Sequence, residues 1–302
     1  MNTLSCVNSH GFHYKQNSVP AVLDKLSTAG YNSCQGAYGS RLLNANYTGP
    51  LMTLRTSTNS ATSNFYGDIY GNLTTGTNGS GTSLANWLVL NSGNTTYAFI
   101  TTLFDQSVTC TNNGTQATAT QQPIYDVASK ILNFGYNGSM GGGIASPQGG
   151  ILNLPNGTVP YGNTPYTVTM KHRYSANTIG GWLGSGVSAS SQCNNFRYNW
   201  NTPTSAYNNY WYGADLQSGT YAINNVITFK YNNTTPLSTL YINGTSNSTN
   251  ARANRANNNL NCTMGKTTSG SETLQGELYY MYIFGSALSD ADRLIIEATT
   301  FT

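Results

Sequence analysis

Residues 166–174 read YTVTMKHRY, and their alternation decides the class of fold. Val168, Met170, His172 and Tyr174 fall on one face, and Thr167, Thr169, Lys171 and Arg173 on the other, which is the period of two that a strand imposes. The pattern predicts a half-buried antiparallel strand, packed on one side and wet on the other. Working outward, β-rich runs recur at 51–56, 97–104, 131–136, 221–231, 239–243 and 277–284, separated by clusters of Gly, Asn and Pro. With no helical period between them, these runs predict an all-β chain of two packed antiparallel sheets, a β-sandwich or jelly roll.

A short helix is expected at each end of this sandwich. Ser18 and Pro20 suit a first turn that Gly30 would stop, and Ser289 with Asp292 can cap a helix ahead of Leu294, Ile295 and Ile296. The expected organisation is an N-terminal arm with a short helix over 1–35, then one sandwich over 36–302. Residues 71–96 are nearly low-complexity and 139–150 are Gly-rich, so both are expected in surface loops.

Composition narrows the function classes. The 302 residues are only 8% charged, with a net charge of +3 and no run of Lys or Arg, so little phosphate could be neutralised and nucleic acid is not an expected partner. Hydrophobic residues are 38% of the chain and Tyr numbers 22, which is too apolar for a disordered tail. No apolar stretch approaches 18 residues, and the start, MNTLSCVNSHGFHYKQ, lacks the basic-then-apolar pattern of a secretory signal. The five cysteines, Cys6, Cys34, Cys110, Cys193 and Cys262, are odd in number and far apart, so at least one is free or paired between chains, and their pairing is open. With no CxxC motif or His/Cys cluster, neither a metal nor another cofactor is expected. His10, His13 and His172 are scattered, and His172, on an apolar face, reads as a packed and hydrogen-bonded histidine.

Two groups of motifs resemble a known family. The order Val226-Ile227-Thr228-Phe229-Lys230, then Thr239-Leu240-Tyr241-Ile242-Asn243-Gly244, then Gln275 to Phe284, then Ala287-Leu288-Ser289-Asp290 is similar to the closing half of laminin-G-like, concanavalin-A-like domains. The Asn-Gly pair after an apolar run favours the positive backbone angles of a tight hairpin turn. In the first half, Gly36 to Leu43, Tyr47 to Arg55 and Leu103-Phe104-Asp105-Gln106-Ser107 resemble the catalytic domain of arabinofuranosidase B, glycoside hydrolase family 54. The matches run over roughly residues 19–300, and the trefoil domain of the fungal enzymes has no counterpart.

That resemblance implies a sandwich whose concave face holds a sugar, with a Glu nucleophile and an Asp acid/base. Retaining hydrolysis needs two carboxyl groups about 5 Å apart. The segment matching the nucleophile is Asp215-Leu216-Gln217-Ser218, which puts Gln217 at that position, and the segment matching the other acid, residues 265–271 (GKTTSGS), has no carboxylate. An amide attacks poorly and does not stabilise an oxocarbenium-like charge. If the chain does hydrolyse, the acids left to it are Asp215 with Glu272 or Asp105.

The candidate ligand-binding residues are therefore Asp105, Trp211, Asp215 and Gln217. Asp105 either meets a ligand or bonds backbone amides in a turn. Asp215 and Gln217 share a strand face, which suits a sugar groove or an internal hydrogen-bond network. Trp200, Tyr207, Tyr210, Trp211 and Tyr212 form the densest aromatic cluster, fit for sugar faces or for core packing. The expectation is a non-enzymatic structural or surface protein of a virion or similar extracellular assembly, with residual glycan binding. The arm of residues 1–17 would dock on neighbouring subunits of an oligomeric assembly. The alternatives are a working retaining glycosidase and a free lectin module.

Overall fold

The computed structural model of the chain describes residues 21–298, apart from 69, 74–75, 94, 136–149, 175–179, 188, 190–191, 200–205, 211–214, 219–223, 252–259 and 269–271. The strands in chain order are β1 (Cys34–Gly39), β2 (Met52–Arg55), β3 (Thr62–Phe65), β4 (Tyr97–Leu103), β5 (Gly114–Thr115), β6 (Ile124–Asp126), β7 (Ile131–Asn133), β8 (Leu152–Asn153) and β9 (Tyr166–Tyr174). They continue with β10 (Gly180–Gly186), β11 (Cys193–Asn199), β12 (Ala206–Tyr210), β13 (Leu216–Ser218), β14 (Asn224–Asn232), β15 (Leu237–Ile242), β16 (Thr245–Ala251), β17 (Thr263–Met264) and β18 (Gly276–Phe284). Three α-helices, α1 (Thr28–Asn32), α2 (Leu84–Ser92) and α3 (Asp290–Glu297), and two short 3-10 turns, Leu23–Lys25 and Ala119–Gln121, complete the described elements.

All pairings are antiparallel, and they build the expected sandwich. One sheet runs β1–β18–β9–β14–β15–β16. The other runs β13–β12–β11–β10–β17–β8–β5–β4, with β2 and β3 beyond β4. Strands β6 and β7 tie β4 to β18 and so join the two sheets at one side. Between the layers Phe196 of β11 meets Tyr166 of β9 edge-on at 5.9 Å and Phe229 of β14 at 5.2 Å. Each such buried ring contributes about 1.5–3 kcal/mol. Asn243 (φ 49°) and Gly244 (φ 85°) make the tight turn between β15 and β16 that the Asn-Gly pair predicts.

The structure corrects four local expectations. The outer face of β9 is wet only in part: Thr167 and Thr169 are both fully buried, while Lys171 and Arg173 are half-buried. The chain after β18 returns over this face, so Thr167 Oγ1 donates to the Ser286 carbonyl and accepts from Leu288 N, while Thr169 bonds Thr228. Residues 71–96 are not all loop, because α2 lies within them. Ser83 caps it, Leu84, Trp87 and Leu88 make the i, i+3, i+4 stripe it buries, and Gly93 in the left-handed region ends it. His172 is packed but not hydrogen-bonded, since both ring nitrogens lack a partner. Finally, Gly30 does not stop the first helix but sits inside α1, which Ser27 caps; Ser18 and Pro20, where the helix was expected to open, lie outside the described residues, as does most of 139–150.

Gly30 is inside α1 for a packing reason. A Cβ there would lie 2.7 Å from Asp292 Oδ2. Asp292 joins the two ends of the chain: Oδ1 accepts from Ser27 N and Oδ2 from Ser27 Oγ, both at 2.7 Å, while Ser289 Oγ donates to Oδ2 at 3.0 Å. One carboxylate thus braces the caps of both α1 and α3. Burial works to raise its pKa, but the bonds from Ser27 and Ser289 outweigh it and hold the carboxyl below its ordinary value. Asp292→Ala is expected to lower stability by about 2–3 kcal/mol, more than a single lost cap, when unfolding is followed in urea. A loss under 1 kcal/mol would mean that the two caps stand independently.

Cys110 is disulfide-bonded, and Cys34, Cys193 and Cys262 are buried thiols outside any disulfide. Among the described residues no helix is long and apolar enough to cross a membrane.

Candidate functional site

The sheet that carries β10 to β13 was the part least visible in the sequence, because its strands are rich in Gly and Asn rather than in β-branched residues. Alternation along them sorts two faces. Trp182, Phe196, Tyr198, Tyr207 and Leu216 enter the core. Asn209 points the same way, accepting from Tyr166 Oη at 2.7 Å and donating to Asn194 Oδ1 at 2.7 Å. The opposite face, turned from the core, therefore carries Cys193, Asn195, Arg197, Asn208, Tyr210, Asp215 and Gln217. Strand register sets Arg197 opposite Asn208 and Asn208 opposite Gln217. This gives a polar row across three strands, about 10 Å from end to end.

Arg197 continues the row onto the loop that follows β17. Its Nη1 donates to Glu272 Oε1 at 2.6 Å, and Thr267 Oγ1 donates to Glu272 Oε2 at 2.8 Å. Its guanidinium stacks 3.7 Å above the ring of Tyr210. Thr268 N and Oγ1 both donate to Asn195 Oδ1, at 3.0 and 3.1 Å, pinning the same loop to β11. Two glycines of β10 let the loop lie this close. A Cβ on Gly181 would meet Thr267 Cγ2 at 2.3 Å, and one on Gly184 would meet Asn195 Oδ1 at 2.6 Å.

Among the described residues several polar atoms of this face are buried without a hydrogen-bond partner. Asn208 is fully buried, yet neither Nδ2 nor Oδ1 is hydrogen-bonded; Asn195 Nδ2 and Arg197 Nε are likewise unpaired. Gln217 at the row's end is exposed, and Asp215 is half-buried, its backbone carbonyl accepting from Asn250 Nδ2. Cys193 lies on the same face. Burial pushes its thiol up to about 11, with Arg197 opposing and Asp215 and Glu272 adding to the rise. Both carboxylates therefore stand within electrostatic reach of that one sulfur.

The candidates divide as follows. Asp215 and Gln217 stand on one face with Glu272 at the far end of the row, whereas Asp105 lies elsewhere. Asp105 is fully buried, and its oxygens accept from Ala37 N, Ser107 N, Ser107 Oγ and Asn112 N, the arrangement of a turn. Burial raises its carboxyl above the ordinary value despite those bonds. Tyr207 is core, against His172 and Trp182, while Tyr210 serves the site through Arg197. Trp211, Trp200 and Tyr212 lie outside the described residues. Asn195, Arg197 and Asn208 were missed by sequence reasoning. Among so many Asn the amides carry no signal, but Arg197, a charge between two aromatics in a chain with 13 basic residues, was a usable one.

The row stands on the face of one sheet that is turned from the core of an antiparallel two-sheet sandwich. No family model and no curated protein matches the chain. Solved structures do. An arabinofuranosidase complexed with arabinofuranosyl-α-1,2-xylobiose superposes with a TM-score of 0.63 at 12% identity, covering 89% of this chain and 63% of that one. A Glu-to-Gln mutant of a family 54 α-L-arabinofuranosidase, soaked with 4-nitrophenyl α-L-arabinofuranoside, gives 0.60 at 11% identity, with 87% and 62% covered. The chain spans a little over three fifths of the length of these enzymes and shares the fold of that part.

Proposed function

We propose that the protein is a carbohydrate-recognising surface component without hydrolytic activity, working within a virion or similar extracellular assembly. The observation that carries this reading is the row Gln217–Asn208–Arg197. Its outer end presents an amide, and the carboxylate bound to its other end, Glu272, has each oxygen engaged by a donor. Amides and a stacked guanidinium suit hydroxyl groups, whereas double displacement needs two carboxyl groups about 5 Å apart. The disulfide at Cys110 supports an oxidising setting, and the low charge supports a neutral polar exterior. Incorporation would run through the arm of residues 1–17.

The expected result is saturable binding on a glycan array with no release of 4-nitrophenol from 4-nitrophenyl α-L-arabinofuranoside, even at high protein concentration. Deleting residues 1–17 should leave a folded sandwich that no longer incorporates. A second reading, a working glycosidase, is favoured by one observation: Asp215 and Glu272 both act on Cys193. It requires turnover of the aryl glycoside that Asp215→Asn abolishes.

A further inference from the structure

We propose that Cys110 is joined to Cys6, so that the N-terminal arm is fastened by a disulfide to the loop beside β1 and is released from it by a dithiol reductant. The inference stands apart from the carbohydrate reading, since the linkage is the same whatever the chain binds.

Five cysteines leave one partner. Cys110 is in a disulfide, and Cys34, Cys193 and Cys262 are in none, so within one chain the bond of Cys110 falls to Cys6. Cys6 itself lies outside the described residues. Two anchor points beside one strand make the closure short. Val22 and Leu23, at the start of the described chain, pack in one cluster with Cys34 and Ala37 of β1, and Leu23 N donates to the Leu43 carbonyl at 3.0 Å. Cys110 stands on the loop that Asp105 ties to the same strand by accepting from Ala37 N. About fifteen residues separate Cys6 from Ala21 and reach up to about 50 Å when extended, more than a return to the same strand requires.

The anchor is held on both sides. Before Cys110, Ser107 N and Oγ donate to Asp105; after it, Asn112 N donates to Asp105 Oδ2 at 3.1 Å and Asn112 Nδ2 to the Gln35 carbonyl at 2.6 Å. Cys110 has φ 52°, a left-handed backbone that a non-glycine residue keeps only where its surroundings fix it. The other thiols do not compete for the bond. A thiolate attacks a disulfide and a thiol does not, and burial raises the pKa of Cys34, Cys193 and Cys262 alike, so each stays protonated near pH 7. Opening therefore needs a reagent from outside. The first thiolate of a dithiol attacks one sulfur of the pair and expels the other as a thiolate, which takes up a proton. Its second thiolate then expels the remaining cysteine and closes the reagent's own disulfide. Two electrons pass from the dithiol to Cys6 and Cys110, and exchange with an external disulfide reverses the sequence.

The test counts thiols and maps the bond in the full chain, equilibrated with oxidised glutathione while folded. Unfolded without reductant, wild type should show three thiols per chain, rising to five with dithiothreitol, and Cys6→Ser and Cys110→Ser should each show four. Tryptic digestion of the alkylated, unreduced chain should give Met1–Lys15 and Thr56–Lys130 as one joined mass that separates on reduction. Five thiols without reductant, four thiols with a disulfide-linked dimer on a non-reducing gel, or Cys110 joined to any other cysteine overturns the assignment. The ring that the bond closes holds roughly 100 residues, so dithiothreitol should lower the wild-type Tm by about 5–10 °C. Cys6→Ser should melt at the lower temperature with or without reductant. A wild-type Tm that reductant does not move, or moves equally in Cys6→Ser, overturns the claim that this bond fastens the arm to the fold.

Discussion

Lowering the pH from 7 to 4 is expected to cost the protein about 3 kcal/mol through His172 alone. Its ring lies fully buried in the sandwich, 4.7 Å from Trp182 and 5.6 Å from Tyr207, with neither nitrogen hydrogen-bonded. Burial holds its pKa at about 3, against 6.5 for an ordinary histidine. The folded ring therefore stays neutral while the unfolded one takes up a proton, so the unfolded state binds more protons below 6.5 and stability falls with pH. The loss begins near pH 6.5 and levels off near pH 3. Carboxylates titrate in the same range, so the comparison is with His172→Phe, which keeps a ring against Trp182 and has no proton to gain. Urea midpoints at pH 7 and pH 4 should show the variant losing about 3 kcal/mol less than wild type, with equal or greater stability at pH 7. Parallel pH profiles for the two proteins would show that the ring does not govern acid sensitivity.

Asp105→Ala is expected to cost about 4 kcal/mol. The substitution strands three backbone amides, those of Ala37, Ser107 and Asn112, together with the Ser107 hydroxyl. Ala37 and Ser107 are fully buried, so water does not replace the lost acceptor cheaply. The damage extends to β1, whose outer edge this loop covers: Gln106 N donates to the Ala37 carbonyl, and Gln106 Oε1 accepts from Leu43 N. An uncovered edge is open to unwanted pairing, so loss of solubility should accompany the loss of stability. Asp105→Asn retains one acceptor oxygen but turns an NH2 toward donors, so an intermediate loss of about 2–3 kcal/mol is expected. Chemical denaturation reads both variants, and an Ala variant within 1 kcal/mol of wild type would contradict this account of the 103–107 motif.

That motif shows how a resemblance and a structure divide the work. Leu103-Phe104-Asp105-Gln106-Ser107 pointed to a fold, and the structure gives it a mechanical role in that fold, since Asp105 holds its own loop together and, with Gln106, ties that loop to Ala37 on the edge of β1. The strands legible beforehand were those built of Val, Ile, Leu and aromatics, such as β9, β14 and β18. The illegible ones, β10 to β13, are Gly- and Asn-rich because one of their faces is given to a loop and a polar row. Propensity describes a strand packed by its own side chains, and glycines that admit Thr267 and Asn195 are chosen for what they leave out.

Taken alone, the chain's residues determined the class of architecture, the Asn-Gly turn, the capped C-terminal helix and the amide at Gln217. Each of these is written in neighbours a few positions apart, where alternation and turn chemistry act. Only the tertiary structure decided that Asn208, Arg197 and Glu272 form one row, that His172 is buried without a partner, and that Asp292 braces both ends of the chain. Those facts depend on which strand pairs with which and on what each side chain meets across 11 to 265 residues of sequence. Local periodicity can place a residue on a face, but what that face then meets is set by the packing of the whole chain.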